Sequence, residues 1–203
     1  PDGVCVAGAF IAYCARARVI DAIKVGDWLL RHRHVCIEEV RSLAASAFWR
    51  NGAHETLWGL EHLDGRSRSF KESETRAVLC FSDLPTPEVN VPVDVGEDVT
   101  VIVDLLFRRW GQVVEYEGSH HQEDRVQYVA DIDRYGLLRD ASIPYVQVTK
   151  EKLAHPKTLC GEVYRALIAR GYDGPPPTFG ERWRQLFLPL SAAVGPRRDR
   201  IAG

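Results

Sequence analysis

Residues 99–121 read VTVIVDLLFRRWGQVVEYEGSHH, and this stretch decides the fold. Val99 to Phe107 is a near-continuous run of β-branched and large apolar residues, the signature of a buried strand. It contains one acid, Asp104, and an acid in such a place needs a partner. Val113 and Val114 open a second extended run, in which the strand period of two puts Glu115 and Glu117 on one face and Val114 and Tyr116 on the other. Between the runs, Arg108 to Gly111 reads as a tight hairpin centred on Arg109 and Trp110. Facing residues of an antiparallel hairpin share one numerical total, so Asp104 faces Glu115, with Cβ atoms roughly 5 Å apart. Asp104, Glu115 and Glu117 then converge, and oxygen ligands gathered this way suit Mg²⁺ or Mn²⁺. A structural salt bridge to an arginine is the alternative role for Asp104 and Glu115. For Glu117 it is a solvated strand end.

Upstream of this centre, Ser69 to Asp83 predicts an amphipathic helix, with Ser69 as cap and Glu72 three residues on. Pro85 and Pro87 end it and lead into Glu88 to Val93, a strand by the alternation of Val89, Val91 and Val93. Pro92 within that run marks an edge strand. Downstream, Gln122 to Ala141 has helical period, and Ile143 to Thr149 alternates as a strand. Strand, helix and strand in that order make a crossover unit, which places the last strand parallel to the central one. A final helix covers Thr158 to Arg170 and stops at Gly171.

Residues 1–66 read as a helical accessory segment, with apolar positions at helical spacing (Ala7, Phe10, Ile11, Cys14; Ile37, Val40, Leu43; Leu57, Leu60, Leu63). Residues 67–173 form the α/β (α+β) unit, and 174–203 a linker, a short helix and a loose tail. His32 and His34, between Arg31 and Arg33, have no acid or cysteine at ligand spacing. They read as an exposed helix end with solvated charges.

A chain of 203 residues with a net charge of -2 can bury a real core but carries no general attraction to polyanions. Five cysteines, none in a Cys-x-x-Cys pair, read as reduced and mostly buried thiols of a cytosolic protein. The apolar run Val4 to Cys14 is too short to span a bilayer, so no membrane is expected to be a partner. The sequence begins at Pro1 with no methionine, which reads as a fragment with an upstream part missing.

The order helix, three strands, helix, strand, with an acid late in the second strand and Glu-x-Glu in the third, resembles the core of the PD-(D/E)XK nuclease superfamily. More closely, Glu72 to Thr149 looks like the bacterial domains related to the very-short-patch repair endonuclease. The matching residues are Glu72 to Arg76, Asp104-Leu105, Glu115-Tyr116-Glu117-Gly118 with His121, Asp124-Arg125, Asp131-Ile132 and Arg134. The resemblance implies a restriction-endonuclease-like core, Mg²⁺-dependent cleavage of DNA, and often a winged-helix DNA-binding domain further upstream. It implies Asp104, Glu115 and Glu117 as metal ligands and catalytic groups. In the mechanism this implies, Glu74 would reach in from the first helix, His121 would relay a proton, and Arg125, Arg134 and Trp110 would contact nucleic acid. The alternatives are a capping or surface acid for Glu74, a hydrogen-bonded structural role for His121, ion pairs with Asp131 and Asp133 for the arginines, and packing against the hairpin for Trp110. The superfamily's usual lysine, two positions after the strand glutamate, is here Glu117. The very-short-patch relatives also manage without it and use histidine. The rival expectation is a catalytically degenerate module that binds nucleic acid or protein, as a partner in a toxin-antitoxin or transcription-control system.

Overall fold

The computed structural model describes residues 5–96, 98–117 and 135–195. Contacts divide the chain into two compact units, one of Pro1–Ala77 with Gly180–Gly203 and one of Val78–Phe179.

The first unit is helical. Its helices are α1 (Val6–Cys14), α2 (Val19–Arg31), α3 (Ile37–Ser46), α4 (Ala53–Gly59) and the start of α5 (Phe70–Phe81). Phe10, Ile11, Cys14, Ile20, Ile23, Val40 and Ala44 form its buried interior; of these, Phe10, Ile11, Cys14 and Val40 are among the positions read at helical spacing in the sequence. Gly52 marks the tightest approach. It has φ +90°, and a Cβ there would lie 1.9 Å from the Ile11 carbonyl oxygen, so the turn before α4 accepts only glycine.

Helix α2 starts without a side-chain cap. Its first amides are satisfied from the other end of the chain, because Val19 N–H donates to the Leu188 carbonyl and Ile20 N–H to that of Leu186, both at 3.0 Å. In return, Leu190 N–H donates to the Ala17 carbonyl at 2.9 Å. The orphan donors of a helix start are thus closed by main chain more than 160 residues away. The short helices Glu181–Gln185 and Leu190–Val194 lie in this returning segment.

The second unit carries a four-stranded sheet in the order β1 (Glu88–Gly96), β2 (Val99–Phe107), β3 (Gln112–Tyr116) and β4 (Tyr145–Val148). The first three strands are antiparallel neighbours, and β3 and β4 are parallel. β1 is the edge strand that Pro92 predicts. The β2–β3 connection is a single 3-10 turn, Arg108–Trp110, closed by Gly111 at φ 59°. Its pairs Leu105↔Val114, Leu106↔Val113 and Phe107↔Gln112 have the common total expected from the sequence.

One face of the sheet buries Val91, Val101, Val103, Leu106 and Val113 against Leu138, which lies on the helix described at 135–140. Against β3 and β4 also packs the long helix Pro156–Ala169, with Leu159, Val163 and Leu167 buried. Pro156 at its first turn costs no hydrogen bond there. The capping expectation at α5 holds: Glu72 N–H donates to Ser69 Oγ at 3.1 Å, while the Glu72 carboxylate accepts from Arg68 N–H at 2.8 Å.

The cysteines correct one expectation, since only Cys14 and Cys160 are buried, Cys80 is half-buried, and Cys5 and Cys36 are exposed. The exposed pair act as helix caps, their sulfurs accepting from Gly8 and Glu39 N–H at 3.4 Å. Burial pushes the thiols of Cys14 and Cys160 up to about 11, and only the thiolate is nucleophilic. Brief iodoacetamide treatment of the native protein at neutral pH should therefore label Cys5 and Cys36 and spare Cys14 and Cys160 until the chain is unfolded. Peptide mass mapping reads the result, and native labelling of Cys160 at the rate of Cys36 would contradict this burial.

Candidate functional site

The site follows from how β2 and β3 part. Their ladder runs up to Leu105↔Val114 and then stops, although β3 continues beside β4 to the pair Tyr116↔Val148. At the next opposed position stand Asp104 and Glu115, and their carboxylates replace the main-chain partners. The Asp104 N–H donates to Glu115 Oε1 at 3.0 Å, and the Tyr116 N–H donates to Asp104 Oδ2 at 2.8 Å. Each acid thus grips the backbone of the opposite strand, an arrangement that fixes both carboxylates between the strands. Glu115 is 0% exposed and Asp104 8%. A buried carboxylate persists only with compensating donors or cations, and these amides are part of that compensation.

The register extends the row in both directions. Val89 pairs with Leu105 and Val91 with Val103, which leaves Asn90 opposite Asp104; on the far side Gln147 pairs with Glu115. Four polar residues, Asn90, Asp104, Glu115 and Gln147, therefore cross the sheet in line. Asn90 has φ 48°, a left-handed conformation that asparagine tolerates better than most residues. Val103 and Leu106 both reach the same apolar cluster, although three positions apart, so the alternation of faces in β2 slips at this same row. Asn90 and Gln147 escape a reading by motif. They become visible once the pairing totals of all four strands are written out.

The other predicted residues are distributed as follows. Glu117 lies just past β3 and is exposed, its N–H donating to the Val148 carbonyl at 2.8 Å. Glu74 belongs to the helical unit, where Lys71 holds it at 2.8 Å and Lys24 at 3.5 Å. Trp110 stands at the hairpin turn with its ring edge-on to Tyr172, centroids 5.1 Å apart, and with Arg109 over it at 5.4 Å. His121, Arg125 and Arg134 lie outside the described residues. His32 and His34 pack on the Trp28 ring, with centroids 4.6 and 5.1 Å away, a ring contact that their spacing from each other does not announce. No group of three or more metal-binding side chains occurs among the described residues. None of the described helices is long and apolar enough to cross a membrane.

No family model matches the chain, and no solved structure matches it. The chain is similar to two proteins of Mycobacterium tuberculosis, "Uncharacterized protein MT2308" of strain CDC 1551 and "Uncharacterized protein Rv2248" of strain H37Rv. Each is 24% identical over 147 residues, which cover 72% of this chain and 54% of the relative. The chain thus spans about half the length of the relatives it matches.

Proposed function

We propose that the protein is a metal-dependent endonuclease with a restriction-endonuclease-like core, hydrolysing phosphodiester bonds of DNA at Asp104 and Glu115. The observation that supports this reading is the opposed, backbone-anchored pair of carboxylates where β2 and β3 diverge. Two hard oxygen donors fixed by main-chain amides suit Mg²⁺ or Mn²⁺, which takes one or two carboxylates and keeps several waters. When bound, such an ion lowers the pKa of a water and offsets charge on a phosphoryl oxygen. In this reading Asp104 and Glu115 hold the ion, and Glu117, exposed at the strand end, orients a water. Gln147, in register with Glu115, offers a neutral amide beside the pair. His121 serves as the proton-transfer group, its ordinary pKa lying near neutrality. Glu74, engaged by two lysines, has no role in this proposal.

The test is incubation of end-labelled DNA, double-stranded with and without mismatches and single-stranded, with purified protein in Mg²⁺, Mn²⁺ or chelator. Cleavage that requires the ion and ceases in chelator is the expected result. Absence of cleavage on every substrate, together with no Mn²⁺ binding by calorimetry, overturns the nuclease reading in favour of a non-cleaving binding module.

A further inference from the structure

At the hairpin end of the sheet, away from the acid row, a cavity of about 350 Å³ is lined by Arg139, Ser142, Ile143, Pro144, Tyr145 and Arg170. Its two arginines come from different elements, Arg139 from the last turn of the helix at 135–140 and Arg170 from the C-cap of the helix Pro156–Ala169. Among the described residues no carboxylate lines the cavity and neither arginine forms an ion pair. We infer that this cavity is a binding site for a terminal phosphate monoester carried by a nucleotide or by the 5′ end of a nucleotide chain.

Three features support this. First, one of the two donors is held in place. Arg170 Nε donates to the Trp110 carbonyl at 3.0 Å, leaving the terminal nitrogens of its fork for a ligand. Trp110 is itself braced by Tyr172. Secondly, the wall is rigid. Ser142 N–H donates to the Arg139 carbonyl and Ile143 N–H to that of Leu138, both at 2.9 Å, the paired bonds of a Schellman cap. Ser142 occupies its left-handed position at φ 56° and adds a hydroxyl to the cavity wall. Thirdly, Tyr145 supplies an aromatic surface, its ring stacked on Tyr135 with centroids 5.3 Å apart and planes 24° from parallel.

Cations at helix C-termini offset the carbonyl dipole, and this accounts for each arginine singly. It does not account for two of them facing one cavity with no acid among its described lining residues. Two guanidinium charges match a phosphate monoester, which carries close to two negative charges at neutral pH. A chain diester carries one. The size also fits, since small-ligand sites begin at about 300 Å³, and a ring beside the phosphate has Tyr145 to lie against.

Calorimetric titration in chelator, so that the acid row and any metal play no part, tests the proposal with four probes. These are inorganic phosphate, adenosine 5′-monophosphate, a short single-stranded oligonucleotide with a 5′-phosphate, and the same oligonucleotide with a 5′-hydroxyl. The 5′-phosphorylated strand should bind at least about tenfold more tightly than its 5′-hydroxyl twin, the loss expected when a charge-assisted contact is removed. R139Q and R170Q should each reduce that binding at least about tenfold, while R41Q in the helical unit leaves it unchanged. Binding of the monophosphate as tight as that of the strand assigns the site to free nucleotides; tighter binding of the strand assigns it to DNA ends. Equal binding of the two oligonucleotides, with no binding of the monophosphate, overturns the proposal. Parental affinity in R139Q overturns it as well. The Arg139 side chain makes no hydrogen bond or ion pair among the described residues, so R139Q should melt with the parent and keep the test decisive if R170Q is unstable. Failure here leaves the metal-dependent cleavage assay untouched, and the reverse also holds.

Discussion

Replacing Arg76 by leucine should destabilise the protein by about 3–5 kcal/mol at neutral pH, the cost of breaking a buried ion pair from one side. The partner, Asp27, is 0% exposed. Its Oδ2 accepts from Arg76 Nη2 at 2.8 Å and its Oδ1 from Asp64 N–H at 2.6 Å, while Arg76 also donates to the His62 carbonyl at 2.9 Å. One guanidinium therefore ties α2, α5 and the turn after α4 together inside the helical unit, and leucine restores none of these contacts. The change should also be pH-dependent in a definite direction. Burial pushes the Asp27 carboxyl up from its ordinary 3.8, and the Arg76 charge opposes that rise. Without Arg76 the opposition is gone, so folded Asp27 keeps its proton to a higher pH than unfolded Asp27 does. The native variant then binds more protons than its unfolded chain, and its stability falls as pH rises above 3.8. Urea titrations of parent and variant between mildly acidic and neutral pH should show the gap narrowing as the pH is lowered. A constant gap would mean that Asp27 is not the group left stranded.

The second large effect is expected at the acid row, where fold and activity separate by choice of substitution. Asp104→Ala removes the acceptor of the half-buried Tyr116 N–H and should cost about 1–3 kcal/mol. Asp104→Asn keeps an oxygen for that amide and should cost less. Both remove the negative charge, so metal-dependent cleavage should fall by about a hundredfold in each, the upper end of what losing an outer partner of a bound metal costs. Glu115→Gln should behave as Asp104→Asn, since its amide oxygen can still receive the Asp104 N–H. If Asp104→Asn cleaves DNA at the parental rate, the carboxylates serve the strand junction alone.

How far the sequence reveals this protein depends on the range of the interactions involved. The β2–β3 hairpin is legible because a short turn fixes a numerical total, and three observed pairs carry it. The cap at Ser69 and the edge character of β1 are equally local. The backbone grip of Asp104 and Glu115 is not, because pattern reading sees acids as charges in search of cations and misses them as acceptors for the opposite strand. Asn90 and Gln147 belong to the row only through pairings that span the whole sheet. Arg139 and Arg170, 31 positions apart, share a cavity that no spacing rule brings together. The contact of Trp28 with His32 and His34 needed the turn after α2 to bring His34 back toward the helix.

The stitching of residues 186–190 to the start of α2 has a topological meaning. The helical unit is closed between residues 17–20 and 186–190, and the sheet unit, Val78–Phe179, is inserted in sequence between the two segments of this host. A single backbone cleavage in either junction therefore nicks the polypeptide without severing the host's own seam. Expression of residues 1–77 without the returning segment leaves α2 with bare amide donors at its N-terminus, so a soluble helical fragment should require 180–195 supplied in cis or in trans.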